Sequence, residues 1–259
     1  MKLFHAAIFT IGVASSAALA QDVVVVGEVH DNPAHHRVQA EIVREVAPKA
    51  LVFEMLTSGQ ADAITPDNRG DPTALARALD WANSGWPDFT MYYPIIAAAP
   101  EARIYGAQVP RDVARAAFGD GIAASFSGDA ETYGLTAPLP EAQQSEREAM
   151  QMVAHCDALP QEMLPGMVAI QRLRDAELAH AVVQAVQDTG GPVVLITGNG
   201  HARKDWGAPS YLERVAPDLE LRVIGQSEDD APLAGAYDEI RSAPAVERED
   251  PCAAFKGSG

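Results

Sequence analysis

Five short apolar runs alternate with helical patterns along this 259-residue chain, and the alternation limits the folds open to it. The runs cover residues 23–26, 50–53, 103–105, 193–197 and 219–224, and they are rich in Val, Ile and Leu. Runs of this kind are typical of strands buried on both faces, as in parallel sheets. The sequence therefore predicts an α/β fold with a mainly parallel sheet flanked by helices and an additional helical portion.

Helical patterns fill the segments between the runs, at residues 34–46, 72–81, 111–118, 141–155, 164–187 and 211–215. No internal repeat separates them, so residues 21–259 are predicted to form a single domain. Residues 119–140, which contain Pro and Gly, are predicted to form a long surface connection. The acidic, proline-containing tail after Ser227 is expected to be irregular until Cys252.

The first twenty residues resemble a secretory signal peptide. Lys2 is the only charged residue there, residues 6–14 are apolar, and Ala18-Leu19-Ala20 has the small-x-small pattern of a cleavage site. We expect cleavage near Ala20 and a periplasmic or secreted mature protein. The apolar stretch is shorter than the roughly 20 residues that span a bilayer, so an integral membrane protein is not expected.

Charge limits the partners of the chain. Lys and Arg number 19 against 36 Asp and Glu, which gives a formal net charge of -17. Such a charge repels phosphate backbones and anionic lipids alike. Nucleic acid and membrane surfaces are therefore not expected as partners.

The two cysteines of the chain, Cys156 and Cys252, are predicted to form one disulfide. An even pair in an oxidising compartment most simply means a bond, and their wide spacing excludes a CxxC redox or zinc motif. The bond would hold the C-terminal tail.

Acidic and imidazole side chains follow three of the predicted strands. Glu28 and His30 follow the first strand, Glu54 the second and His201 the fourth. Because ligands bind outside the carboxyl ends of parallel strands, these four residues are the candidate catalytic residues, acting as general acid and base on a bound water or holding a metal. Glu28 and His30 are two apart, so in extended chain they point to the same face.

Several neighbours of these residues have two interpretations. Of His35 and His36 we expect one to lie at the surface, since adjacent helical residues diverge by about 100°. Glu54 requires a partner, which is either Arg111 in a salt bridge or a metal or ligand. Residues 198–200, Gly-Asn-Gly, suit a turn with positive φ whose N–H groups approach an anion. His201 would then lie in a loop, so His201→Ala should cost about 1 kcal/mol or less.

Two further segments could contribute to the crevice. Asp175, one helical turn from Gln171, could reach it, whereas solvated helix charge is the expected state of Arg172 and its charged neighbours. Residues 81–95 are the densest aromatic segment in a chain that is 6% aromatic. We interpret this segment as a lid or a ligand wall.

The usual nucleophile, zincin, P-loop and c-type haem motifs are absent from the sequence. The remaining cluster of His and Glu suits a divalent metal, with His30, Glu54 and His201 as ligands, or a haem whose axial ligand is His or Tyr.

The motifs taken in order resemble those of the ChaN-like haem-binding uptake proteins, in a superfamily with the Tiki and TraB proteins and related to the erythromycin esterases. The resemblance is carried by Gly27-Glu28-Val29-His30-Asp31-Asn32 with His35-His36, Phe53-Glu54-Met55, the Trp-Ser-Gly-Trp segment running to Tyr93-Pro94-Ile95, and Gly198-Asn199-Gly200-His201. It covers most of residues 21–259 and implies an exported α/β protein.

The resemblance implies two functions between which the sequence does not choose. The first is a haem carrier for haem or iron uptake, with a cofactor site formed by His30, His201, Trp86, Tyr92, Tyr93 and Arg111. The second is a metal-dependent hydrolase, similar to Tiki proteins and erythromycin esterases, that uses the same Glu and His cluster. The sequence also leaves open whether the chain forms a homodimer.

Overall fold

A computed structural model describes residues 21–253. Within them six strands form one sheet in which every pairing is parallel. The strands are β1 (Val23–Val26), β2 (Ala50–Phe53), β3 (Arg103–Gly106), β4 (Val193–Ile196), β5 (Leu221–Glu228) and β6 (Glu239–Ala243). Their order across the sheet is β3-β2-β4-β1-β5-β6, so the predicted parallel α/β fold is confirmed.

The three central strands are buried on both faces because each is an uninterrupted apolar run. β4 lies between β1 and β2, and its Val193 is in register with Val23 on one side and Ala50 on the other. Successive residues of a strand point to opposite faces, so each strand contributes to two separate cores. Val23 and Val25 belong to one core, and Val24 and Val26 belong to the other.

Eleven α-helices are described in residues 21–253. They are α1 (Pro33–Val46), α2 (Ser58–Asp62), α3 (Pro66–Arg69), α4 (Pro72–Ala78), α5 (Phe89–Ala98), α6 (Arg111–Asp120), α7 (Ile122–Ser125), α8 (Glu141–Ala154), α9 (Leu164–Thr189), α10 (Asn199–Ala202) and α11 (Ala208–Val215). α1 and α5 pack together over one face of the sheet, and α9 covers the other face with α8 and α11 packed against it.

The ends of the two principal helices follow from local sequence. Asn32 caps α1 by accepting a hydrogen bond from the Ala34 amide, and Pro33 occupies the first helical position, where its missing N–H costs nothing. α9 ends at Gly190, whose φ of 72° lies in the left-handed region that favours glycine. These ends fix where each helix leaves and enters the sheet.

Two expectations about the connecting segments are wrong. The tail after Ser227 contains β6, which extends the sheet beside β5, rather than irregular chain alone. Residues 119–140 include α7, and Phe126, Tyr133 and Leu135 from this segment are buried in the core beneath α9. Residues 89–95 of the aromatic segment form most of α5, which packs in the opposite core.

The predicted disulfide is confirmed. Cys156, two residues after α8, is bonded to Cys252. The tail is also held by Arg248, which forms ion pairs with Asp31 and Glu228. No helix within residues 21–253 is long and apolar enough to cross a membrane. The predicted signal peptide lies outside the described residues.

Candidate functional site

The sheet order brings three chemically active strand ends side by side. β4 separates β1 from β2, so the segments after these strands meet at one edge. Glu28 and His30 follow β1, Glu54 follows β2, and His201 lies on α10 just after β4. The sequence predicts this convergence.

Glu28 is 2% exposed and both its oxygens are engaged. Oε1 lies 2.7 Å from His30 Nδ1 and accepts a 2.9 Å hydrogen bond from the Tyr92 hydroxyl. Oε2 accepts a 2.7 Å hydrogen bond from the Gln39 amide, and His36 Nδ1 lies 3.5 Å away. A carboxylate with these partners holds its neighbours in place.

His30 is the most accessible member of the cluster, with 36% of its side chain exposed. Its ring meets Trp86 edge to face at a centroid distance of 4.9 Å. Burial lowers the pKa of His30, but the hydrogen bond to Glu28 and the charge of Glu54 outweigh burial and raise it. Glu28 therefore both orients the imidazole and favours its protonated form.

Glu54 accepts hydrogen bonds of 2.6 Å from the Thr197 hydroxyl and 2.7 Å from the Gly198 amide. Burial raises the pKa of Glu54, but the charges of His201 and His30 together with these hydrogen bonds lower it overall. Arg111 makes no ion pair with Glu54 in the described chain. The partner that the sequence requires for Glu54 is thus a set of protein donors and imidazoles.

His201 lies between two carboxylates, the buried Asp175 and the largely enclosed Glu54. Its Nδ1 is 2.6 Å from Asp175 Oδ1, and its Nε2 is 3.7 Å from Glu54 Oε1. Burial lowers the pKa of His201, but the two carboxylates outweigh it and raise the pKa to about 9. Asp175 reaches the crevice from α9, as its position on the helix suggested. Burial outweighs the attraction of His201 and raises the pKa of Asp175.

The glycine beside this cluster, Gly198, allows close packing. It does not adopt the left-handed backbone that the sequence suggested. Gly198 has a φ of -65° and starts the short helix α10. A Cβ at this position would lie 2.9 Å from His30 Nε2, so only glycine leaves room for the imidazole. The Gly198 N–H already donates to the Glu54 carboxylate, so it is not available to an anionic ligand.

Two cavities adjoin the cluster. The larger, about 450 Å³, is the crevice cavity; its walls come from the loop after β1 and from α8, α9 and the segment 198–206. Its lining includes Glu28, His30, Arg147, Gln151, Asp175, His201 and Trp206. The smaller, about 210 Å³, has Glu54, Trp86, Arg111 and Arg174 in its lining. The crevice cavity has the size of an ordinary small-molecule site, roughly 300–1,000 Å³.

Some predicted cofactor residues do not line the crevice cavity. Tyr92 is 1% exposed and lies beneath Glu28, so it contacts the cluster only through that carboxylate. Tyr93 points elsewhere and donates a hydrogen bond to the Gly70 carbonyl. Trp86 contacts His30, and it shares the smaller cavity with Arg111.

Two expectations about polar helical residues are wrong. His35 and His36 are both buried, because each imidazole ties down the β1 loop: His35 Nδ1 accepts from the Val29 amide, and His36 Nε2 lies 2.8 Å from the His30 carbonyl. Arg172 is 9% exposed and donates to the carbonyls of Gly134 and Ala137 rather than extending into solvent.

Sequence reasoning also missed Gln39, Thr197 and Arg147 at the site. Thr197 ends the fourth apolar run, and Gln39 is a polar residue on the buried side of a helix, so both carried a weak signal. Arg147 had none, because it lies on a helix rich in charged residues.

The metal role predicted for His30, Glu54 and His201 finds no support in their arrangement. Among residues 21–253, no group of three or more His, Cys, Asp or Glu side chains is placed to hold a metal ion. One Glu54 oxygen is occupied by Thr197 and Gly198, and both His201 nitrogens face carboxylates.

The raised pKa of His201 predicts a pH-dependent stability. A group whose pKa is higher in the folded state stabilises the fold fully below its unfolded pKa, here 6.5, and stops doing so as pH rises through its folded pKa of about 9. We expect the unfolding free energy to fall by about 3 kcal/mol across this interval. Urea unfolding at a series of pH values measures it, and His201→Gln should remove most of the slope. An equal slope in both proteins would contradict the assignment.

The fold and the cluster define a class: a parallel α/β protein with imidazoles and buried carboxylates gathered at the strand ends, beside a small-molecule cavity. Residues 14–212 match the family described as haem-binding uptake, Tiki superfamily, ChaN. The chain belongs to this family, and the resemblance carried by its motifs is confirmed.

The structure is similar to the solved structure of cofacial haem binding to ChaN of Campylobacter jejuni. The two chains are 20% identical, with 82% of this chain and 84% of that chain covered and a TM-score of 0.62, which shows a shared fold. It is also similar to the type III effector HopBA1, at 12% identity, coverage of 87% and 88%, and a TM-score of 0.44. No curated protein matches the sequence.

Proposed function

We propose that this protein binds haem in the crevice cavity, with His30 as the axial ligand, and serves haem or iron uptake. The observation that carries the proposal is the contact between His30 and Glu28. The carboxylate engages Nδ1, so Nε2 is the nitrogen available to iron, and it has no hydrogen-bond partner in residues 21–253. Haem ligands held by a carboxylate or carbonyl in this way are fixed in orientation and more basic.

The other imidazole of the cluster is less suited to this role. His201 is only 12% exposed in its side chain, and both its nitrogens face carboxylates. Taking Nδ1 for iron would leave Asp175 buried without its hydrogen-bond partner, which is costly. His201 therefore organises the cluster, while His30 faces the ligand.

The surroundings of His30 supply the apolar surface that a haem requires. Val29, Met150, Val168 and Trp206 line the crevice cavity together with the cluster. Trp86 packs against the His30 ring and limits its movement. An iron porphyrin bound here would supply the metal chemistry of uptake, and the chain would supply the ligand and the enclosure.

Titration of the purified protein with haemin tests the proposal. We expect a shifted Soret band that saturates at a defined stoichiometry, and its loss in His30→Ala. His180→Ala is the matched control, since His180 contacts Tyr133 and Phe126 away from the crevice cavity. A spectrum that never saturates, or an unchanged titration of His30→Ala, would count against haem binding through His30.

Export is a second part of the proposal. It is supported by the signal-peptide pattern of residues 1–20 and is consistent with the disulfide, which forms in oxidising compartments. N-terminal sequencing of the protein recovered from the periplasm or the medium should begin near Gln21. Recovery of an uncleaved chain from the cytosol alone would contradict export.

Hydrolysis is the second candidate function, and one observation favours it. His201, with a pKa of about 9, is protonated at neutral pH and hydrogen-bonded to Asp175, which suits proton donation to a leaving group. Ester hydrolysis by the purified protein that is lost in His201→Gln would favour this function.

A further inference from the structure

The crevice cavity contains a buried arginine that the cluster does not use. Arg147, on α8, is 7% exposed and lines the cavity. Its Nε has no hydrogen-bond partner, and its Nη2 makes only a long contact of 3.4 Å with the Trp206 carbonyl. No carboxylate in residues 21–253 lies within ion-pair distance of it. A guanidinium that loses its hydration without gaining an anion is unfavourable for folding.

The surroundings of Arg147 do not explain its burial. Asp175 attracts it but is already hydrogen-bonded to His201. Trp206 lies 4.8 Å from the guanidinium carbon and offers a cation–π contact, which is shared with Arg203 at 3.7 Å. Arg203 differs from Arg147 in having a carboxylate partner, Asp205. Arg147 is therefore the buried cation of this cavity that lacks a counter-ion.

A second polar side chain lies one helical turn away. Gln151 is four residues after Arg147 on α8 and lines the same cavity. Residues that are four apart lie on one helix face, so both side chains are presented to the cavity together. Met150 and Trp206 place apolar surface beside them.

We propose that Arg147 binds a carboxylate of the ligand in the crevice cavity. The arginine fork matches a carboxylate in a bidentate pair, and the apolar neighbours accommodate the body that carries it. This inference rests on the proposed function: for haem, the group bound at Arg147 is a propionate. It explains how a chain with a net charge of -17 accepts an anionic ligand.

The test compares haemin with its dimethyl ester, in which both propionates are capped. Arg147→Met keeps the apolar stem over Trp206 and removes the guanidinium. We expect this variant to bind haemin about tenfold or more weakly than the wild type, and to bind the ester as the wild type does. Its melting temperature should be equal or higher, since an unpaired buried charge is lost.

Arg115→Met is the matched control, because Arg115 is exposed and does not line the crevice cavity. It should leave both affinities unchanged. Arg147→Lys keeps the charge but lacks the fork, so it should weaken haemin binding less than Arg147→Met does. If Arg147→Met fails to fold, the haemin affinity of Arg147→Lys still tests the proposal.

The outcomes separate the two proposals. If the wild type binds haemin and the ratio of haemin to ester affinity is the same in wild type, Arg147→Met and Arg147→Lys, the carboxylate site at Arg147 is wrong and haem binding stands. A lower melting temperature with that same ratio would assign Arg147 a structural role alone. If the wild type shows no saturable Soret change, the proposed function fails and this inference fails with it.

Discussion

His201→Ala is expected to lower the unfolding free energy by about 3–5 kcal/mol at neutral pH, as the loss of one partner of a buried ion pair does. His201 lies between Asp175 and Glu54, and Asp175 makes its only side-chain hydrogen bond in the described chain to this imidazole. The truncation leaves Asp175 buried without its hydrogen-bond partner and removes the neighbouring positive charge from Glu54. This is far more than the 1 kcal/mol or so that a loop residue would cost, and the burial of His201 is the reason.

Urea unfolding measures this loss, and a second substitution makes the cause specific. Asp175→Asn removes one of the stranded charges, so the double variant His201→Ala/Asp175→Asn should be more stable than His201→Ala alone. His180 lies on the same helix as Asp175 but away from the cluster. Adding Asp175→Asn to His180→Ala should therefore not restore stability. A loss near 1 kcal/mol without recovery in the double variant would show that the ion pairs do not stabilise the fold.

Replacing Cys156 and Cys252 by Ser should lower the unfolding free energy by up to about 4–5 kcal/mol, because the disulfide closes a long loop in the unfolded chain. The cysteines are 96 residues apart in sequence, and the loop they close includes α9 and β4. Residual compactness of the unfolded chain would make the measured loss smaller. Denaturant unfolding of the oxidised protein and of the double variant gives the difference.

The tail has a second attachment that serves as the control for this experiment. Arg248 pairs with Asp31 and Glu228 at a partly exposed surface, so Arg248→Gln should cost about 1 kcal/mol or less. The double cysteine variant should therefore lose several times more. Two free thiols in the denatured, unreduced wild type, or equal losses in the two variants, would contradict a stabilising disulfide.

The strand ends were predictable because strong local patterns place them. Val23–Val26 and Val193–Ile196 are continuous apolar runs, and Glu28 and His201 follow them within a few residues. Parallel pairing brings such ends to one edge, so the cluster follows from the periodicity and chain direction alone.

The remaining features depend on tertiary packing, which periodicity does not report. β6 alternates partly buried and exposed residues and forms only because β5 offers a neighbouring edge. α5 contains Pro94, which argues against a helix, yet its Phe89 and Tyr92 are buried in the core. From the sequence, Arg147 is expected to be one more solvated charge on an amphipathic helix. In the fold, α9 and the segment around Trp206 enclose it.

The central position of β1 determines when the sheet can assemble. The first strand is in register with Val193 on one side and Leu221 on the other, so it has no neighbour until most of the chain has been made. Contacts between residues so far apart in sequence slow folding, because a large loop must close before they form. A chain that ends before residue 190 would leave β1 unpaired and could not build the centre of its sheet. The N-terminal half is therefore not a separate folding unit, and the Glu28–His30 pair acquires its neighbours only when the whole molecule folds.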